Sequence, residues 1–542
     1  MKRVLRVIAV LSMALAALAA QTAATKPPAP AQAKKPPAPA QAKKPKLVVL
    51  VVVDQFRYDY LTRFRAYYTA GLAKLLERGA VFTNAYLEHL PTVTAIGHSL
   101  TLTGAMPSLS GIAGNEWYDR EAGRQVTSVT DDSTALLGGG PNRKGASPRR
   151  LLVSTVGDEL KMASRGRTRV YGISIKDRAA ILPAGHMADG AFWFDPATGN
   201  FVSSTYYFPE LPAWVQEFNQ SRTVDQFLGK EWTPVVKAAD SAEWKPFRKL
   251  PAKPDKAYYD GLERTPWGND IVAMLAERAI EGAKLGRGEA SDLLAVSFSS
   301  NDRVGHPAGP DSDDVRDLSV ETDRTIGRFF QFLDSKVGLD KTLVVFTADH
   351  GVAPLPEFAA KHNLPGGRLK AKSLVEEIEK TLTARFGEGK WVAGLSGPAP
   401  YLDYELIRRK GLDLAEVEEA AANAVRRMPH IARVYTAEQL RTGQLVQDLV
   451  GRRVANGYHV QRSPDLVIVT EPNWVFDATG TGHGSPYNYD SQVPVIFMGA
   501  GVKPGLYHQR IMAADIAPTL ATILSVATPS GAAGRALAEI IR

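Results

Sequence analysis

At 542 residues, 44% of them hydrophobic and 23% charged, the chain is too long for one small core and too ordinary in composition to be fibrous or unfolded. Its formal charge of +8 invites a nucleic-acid reading, but residues 1–46 hold nine Lys or Arg and no acid, so the rest of the chain sums to −1. A near-neutral remainder excludes a broad basic groove, and no nucleic-acid partner is expected.

In chain order, Lys2, Arg3 and Arg6 precede an apolar stretch from Val7 to Ala20 that ends in small residues, the layout of a secretory signal peptide over residues 1–24. The stretch is short of the roughly 20 residues that cross a bilayer, so export to the periplasm or cell envelope is expected, without stable membrane insertion. Residues 25–46 follow as a linker in which PPAPAQAKK occurs twice, at Pro27–Lys35 and Pro36–Lys44. Such sequence makes an extended spacer and no core. The chain has no Cys, so disulfides and thiolate ligands are excluded, and any metal must rest on His and carboxylates.

From residue 47 to 542 the expectation is one large domain. It opens with Leu47–Val53, an unbroken apolar run of the kind that forms a strand buried on both faces. Similar runs recur at Arg169–Ile175, Asp292–Ser297, Thr342–Thr347, Asp465–Val469 and Pro494–Met498, with amphipathic helical segments at Tyr60–Arg78 and Val315–Lys336. This alternation predicts an α/β sandwich with a mostly parallel central sheet flanked by helices. Two stretches, about 185–290 and 355–475, fit the rhythm poorly and are expected to be insertions forming a cap. Asp54, Lys176, Asp302 and Asp349 each follow a predicted strand closely, where α/β sheets line their ligand crevice.

Three fragments carry metal-ligand chemistry. Asp302 and His306 lie four apart in the loop after a strand, Asp349 and His350 are adjacent before Gly351, and His483 sits in the Gly-rich run 480–484. Zinc favours His nitrogen and carboxylate oxygen, and two metals about 4 Å apart can hold the attacking and leaving oxygens of a phosphoryl displacement. Each fragment has a blander reading, as a helix cap or a loop residue, and their joint occurrence is what points to metal. In a fourth fragment, Leu90 to Ser99, Thr94 sits where a loop turns into a helix expected to begin near Ala95. As an N-cap it would have free N–H groups nearby, a setting that welcomes a phosphoryl group.

As an ordered set, Asp54, Pro91-Thr-x-Thr94, Asp302-x-x-x-His306, Asp349-His350-Gly351 and Gly482-His483 resemble the alkaline phosphatase and nucleotide pyrophosphatase/phosphodiesterase superfamily. The resemblance covers the chain from about residue 47 to its end. It implies two zinc ions, one on Asp302, His306 and His483, the other on Asp54, Asp349 and His350 with the Thr94 oxygen, and Thr94 as the nucleophile. Gly114 to Asp119 and Ile175 to Ala179 look like the PafA-type monomeric alkaline phosphatases, in which an Asn, a Lys and an Arg contact phosphoryl oxygens. Here those would be Asn115, Lys176 and Arg178, a cationic pair suited to a dianionic monoester. The implied protein is a monomeric phosphatase acting on small phosphate esters.

The alternative on the same scaffold is a phosphodiesterase or nucleotide pyrophosphatase. No Ser or Cys stands in the arrangement of a formylglycine sulfatase, and Gly480-x-Gly482-x-Gly484 lacks the strand and helix of a dinucleotide loop. A phosphoethanolamine transferase would open with several membrane helices, and a binding protein that kept only the fold would not need the whole residue set. His89, His98, His186, His362, His430, His459 and His508 have no ligand-like partners by spacing and are expected to be structural.

Overall fold

The computed structural model describes residues 44–141, 143–236 and 246–542; the expected signal segment and nearly all of the expected linker lie outside them. The apolar runs build one eleven-stranded sheet. Its strands are β1 (Leu47–Val53), β2 (Ala80–Tyr86), β3 (Thr130–Leu137), β4 (Lys144–Ala146), β5 (Val170–Ser174) and β6 (Gly190–Asp195). The remainder are β7 (Asn200–Ser204), β8 (Asp292–Phe298), β9 (Thr342–Thr347), β10 (Val495–Gly499) and β11 (Gly505–Met512). Their spatial order is β11-β2-β10-β9-β1-β8-β5-β6-β7-β3-β4.

The middle block β9-β1-β8-β5-β6 is parallel throughout. Strand β1 shows why its sequence alternates nothing: Leu47, Val49, Val51 and Val53 join one core cluster, while Val48, Leu50 and Val52 join another on the opposite face. Outside the block the pairing turns antiparallel, at β9–β10 and β10–β2 on one side and at β6–β7, β7–β3 and β3–β4 on the other, while the edge pair β2–β11 is parallel again.

Helices α1 (Gly71–Arg78), α2 (Thr94–Thr103), α3 (Asp177–Ala184), α4 (Ser300–Ala308) and α5 (Asp313–Lys336) bear on the site. The register places it. Val53 pairs with Phe298, Val52 with Thr347, and Ser297 with Ser174, so four neighbouring strands finish level with one another. The residues just beyond them are therefore delivered to a single crevice.

Several sequence expectations are redrawn. The Asp465–Val469 run forms a strand at Leu466–Thr470, but it pairs with Ile431–Thr436 in a separate two-stranded sheet. Apolarity marks a buried strand without naming its partner. Pro494–Met498 becomes β10, which joins the main sheet antiparallel. The stretch 185–290, expected as a cap, supplies β6 and β7 to the main sheet and a helix at Pro266–Gly282. The stretch 355–475 gathers its own apolar cluster around Leu374, Ile378, Trp391, Val417 and Val425.

Tyr60–Arg78 is not one helix. It breaks into short turns at Tyr60–Arg63 and Arg65–Tyr67 before α1 begins. No side chain of α1's own flank caps it. The fully buried Asp323 of α5 does so instead. Its carboxylate accepts from the backbone N–H of Thr69 and Ala70 at 2.9 Å, Leu72 at 2.6 Å and Ala73 at 3.3 Å. Hydrogen bonds to a charged group are worth about 1.5–3 kcal/mol each, and removing one partner strands the others in a dry interior. Asp323→Ala is therefore expected to cost about 3 kcal/mol or more in denaturant unfolding, and Asp323→Asn, which keeps one acceptor, less.

Candidate metal centre

The crevice at the strand ends holds two groups of donors. Oxygen and nitrogen atoms of Asp302, His306 and His483 lie within 4.8 Å of one another, and so do those of Asp54, Asp349 and His350. Asp54 directly follows β1, Asp349 follows β9, and Asp302 and His306 lie one turn apart on α4, on the same helix face. His483 comes from a distant loop, yet its ring stacks on that of His350 with centroids 3.6 Å apart. Gly97 permits the close approach of α2 to this floor, since a Cβ there would stand 2.1 Å from the Asp349 carbonyl oxygen.

The histidines are oriented alike. Nδ1 of His306 donates to the Thr481 carbonyl at 2.7 Å, that of His350 to Gly351 at 2.9 Å, and that of His483 to Thr92 at 2.8 Å. A carbonyl can only accept, so the neutral ring carries its proton on Nδ1 and turns a bare Nε2 toward the crevice. This is the tautomer a metal ligand needs. Burial suits the same purpose, holding His350 neutral down to about pH 4 and pushing His483 well below the usual histidine value. Burial also works against a charged His306, but the adjacent Asp302 prevails and lifts it to about 9.

The carboxylates are crowded. Burial and the neighbouring Asp349 push Asp54 up, whereas Asp302, although buried, is held well below the usual range chiefly by Lys176. Asp54 Oδ1 and Asp349 Oδ2 are buried without a hydrogen-bond partner among the described residues. Lys176 donates to Asp54 Oδ2 at 2.7 Å and to Asp302 Oδ2 at 2.6 Å, thus touching both groups. The family resemblance implies a contact with phosphoryl oxygens; in this structure the ammonium lies on the carboxylates.

Thr94 is buried beside both groups, its Oγ1 3.4 Å from His350 Nε2 and 3.5 Å from Lys176 Nζ. It is the first residue of α2 rather than the residue before it, with extended Val93 in the cap position. Of the N–H groups expected to be free near Thr94, that of Ala95 is taken by Asn115 Oδ1 at 2.8 Å. Only the oxygen of that amide can accept, so the Nδ2 donor of Asn115, a residue that lines the neighbouring cavity, is not used in this bond. The cavity, about 760 Å³, also receives Arg178, His306 and His483, and its far wall is apolar, with Val454, Val467, Val469 and Phe476.

His98, set aside in the sequence, belongs to this architecture. Its Nδ1 lies 2.9 Å from the Thr94 carbonyl and 3.1 Å from Asp349 Oδ2, and its Nε2 lies 2.8 Å from Ser297 Oγ. The four-residue spacing from Thr94 on one helix was the available signal. Asp490 was also missed. Its carbonyl accepts from Gly351 N–H at 2.7 Å and its Oδ2 from Ser485 N–H at 2.7 Å, so it joins the two loops that carry His350 and His483.

Residues 48–490 match the family described as type I phosphodiesterase / nucleotide pyrophosphatase. The chain is 36% identical over 517 residues to the alkaline phosphatase PafA of Elizabethkingia meningoseptica, covering 92% of this chain and 94% of that protein. It is likewise 36% identical to the alkaline phosphatase PhoV of Synechococcus elongatus, covering 92% and 93%. The crystal structure of wild-type PafA superposes with a TM-score of 0.86 at 35% identity, over 92% of this chain and 99% of that one.

Asp490 offers a test of the site's frame. Burial lifts its carboxyl to about 7, against about 4 in an unfolded chain. Between these values the folded state binds more protons, so this residue's contribution to stability is present in acid and is lost as pH rises toward 7. Asp490→Asn can keep the Ser485 bond without the charge. Its melting temperature relative to the parent is expected to be more favourable at pH 8 than at pH 5, by paired thermal scans.

Proposed function

The chain belongs to the type I phosphodiesterase / nucleotide pyrophosphatase family, and on that footing we propose that it is an exported, two-zinc phosphate monoester hydrolase that works through a phosphothreonine on Thr94. The observation that carries this reading is the position of Thr94 Oγ1, within 3.5 Å of His350 and of the Lys176 ammonium that touches both donor groups. Kinship with alkaline phosphatases along nearly the whole chain supports the monoester class.

The donor set fits zinc: nitrogen and oxygen only, each Nδ1 committed to a carbonyl so that Nε2 faces the crevice, and two carboxylate oxygens buried without a hydrogen-bond partner among the described residues. Asp302, His306 and His483 would hold one ion, and Asp54, Asp349 and His350 the other with Thr94 Oγ1. Bound there, the pair supplies Lewis acidity to the attacking and leaving oxygens. The chain does the rest. Asn115 Nδ2 and Arg178 bind non-bridging oxygens of the ester in the cavity, and Lys176 neutralises charge around the attacked phosphorus. Oγ1 of Thr94 forms a bond to phosphorus as the bond to the alcohol breaks. Water then attacks the same phosphorus, Thr94 leaves, and inorganic phosphate is released. Among the described residues no helix is long and apolar enough to cross a membrane. Small phosphate esters suffice as partners, and the working unit is a monomer.

One observation favours a second reading, a phosphodiesterase or nucleotide pyrophosphatase. The apolar wall of the cavity could receive the second substituent of a diester.

Metal analysis of the purified protein is expected to return two zinc ions per chain, lost together with activity on chelation; an active metal-free preparation would overturn the proposal. Thr94→Ala should abolish turnover of monoester and diester alike. Arg178→Ala removes a charge-assisted contact worth about 1.5–3 kcal/mol, more valuable to a dianion. Its kcat/KM on an aryl phosphate should therefore fall roughly tenfold or more beyond its loss on the methyl diester. Equal losses would move the diesterase reading to first place.

A further inference from the structure

Gln55, directly after Asp54, is buried and carries a backbone φ of 61°. Residues other than glycine seldom occupy this left-handed region, and they persist there only when the surroundings dictate it. The conformation sends two donors in two directions. The backbone N–H donates to Asp349 Oδ1 at 3.1 Å, and the side-chain Nε2 donates to Asp302 Oδ1 at 2.9 Å. Asp349 belongs to one donor group and Asp302 to the other. Helix α4 is shaped to admit the amide, since a Cβ on Gly305 would stand 1.9 Å from Gln55 Oε1.

We infer that Gln55 is a positioning residue that fixes the spacing between the two metal sites, by tying Asp302 on α4 to the strand-end frame that carries Asp54 and Asp349. Lys176 also touches both groups, but through a long flexible stem. Gln55 reaches Asp302 on a short arm whose origin is set by its own backbone bond to Asp349. The inference rests on the two-metal reading above.

Three full-length variants test it. Gln55→Asn keeps the N–H to Asp349 and suits a left-handed backbone, but falls one carbon short of Asp302. Gln55→Glu keeps the shape and sets an acceptor against the Asp302 carboxylate. Gly305→Ala pushes on the amide from α4. Each is depleted of metal and titrated with zinc against a chromophoric chelator, and its manganese form is read by electron paramagnetic resonance for coupling between the two ions. The parent should bind two ions in coupled form. In the variants one binding constant should weaken by about 10–100-fold, the usual cost of losing an outer-shell partner, while the other holds and the coupling changes. Unchanged constants and coupling, or two constants that fall together with the melting temperature, would make Gln55 scaffold only and overturn the inference. A parent that binds fewer than two ions would instead remove the two-metal reading beneath it.

Discussion

Three carboxylates, those of Asp54, Asp302 and Asp349, are brought into one dry crevice because parallel strands of matched register stop at the same level. Like charges so placed repel and lose their hydration, and the fold must supply positive charge or hydrogen-bond donors or lose the arrangement. Much of the surrounding structure answers that demand. Lys176 sits between two of the three, His98 stands behind Asp349, and Gln55 gives an N–H to each of two. The histidines face inward with their proton already committed to a carbonyl on the far side. Carboxylates crowded together in this way make a natural seat for divalent cations.

What could be read from the sequence follows from how local each signal is. The buried strand Leu47–Val53 is written in seven consecutive residues, and Asp or His at a strand end is visible as soon as the strand is. The residues singled out in this way meet in space although they come from opposite ends of the chain. Gln55 was not legible, because what matters about it is a contact with Asp302 some 250 residues away; His98 was legible only through its spacing from Thr94, its contact with Asp349 being equally distant. The same is true of Leu466–Thr470, whose apolarity announces a strand but whose partner is set by the packing of residues 355–475. Asp490, too, reads as an ordinary loop acid until the fold closes over it.

The cavity combines two kinds of recognition. Its floor is ionic, with Arg178, His306 and His483, and its far wall is apolar. The wall comes largely from the stretch 449–476, which lies outside the main sheet, so the apolar side of the cavity can vary while the strand ends beneath it stay fixed. This division fits a scaffold whose relatives bear the names of both phosphatases and phosphodiesterases.

The pairing of β1 with β8 and β9 governs how the protein can acquire its structure over time. The first strand has both its neighbours some 240 residues or more downstream, and α1 waits for its cap from Asp323. A chain delivered amino end first, by a ribosome or by an export channel, therefore cannot complete its leading segment until the later half has emerged. Such long-range closure folds slowly. The leading strand therefore spends most of synthesis without its partners, and closure of the sheet's centre follows translation rather than accompanying it.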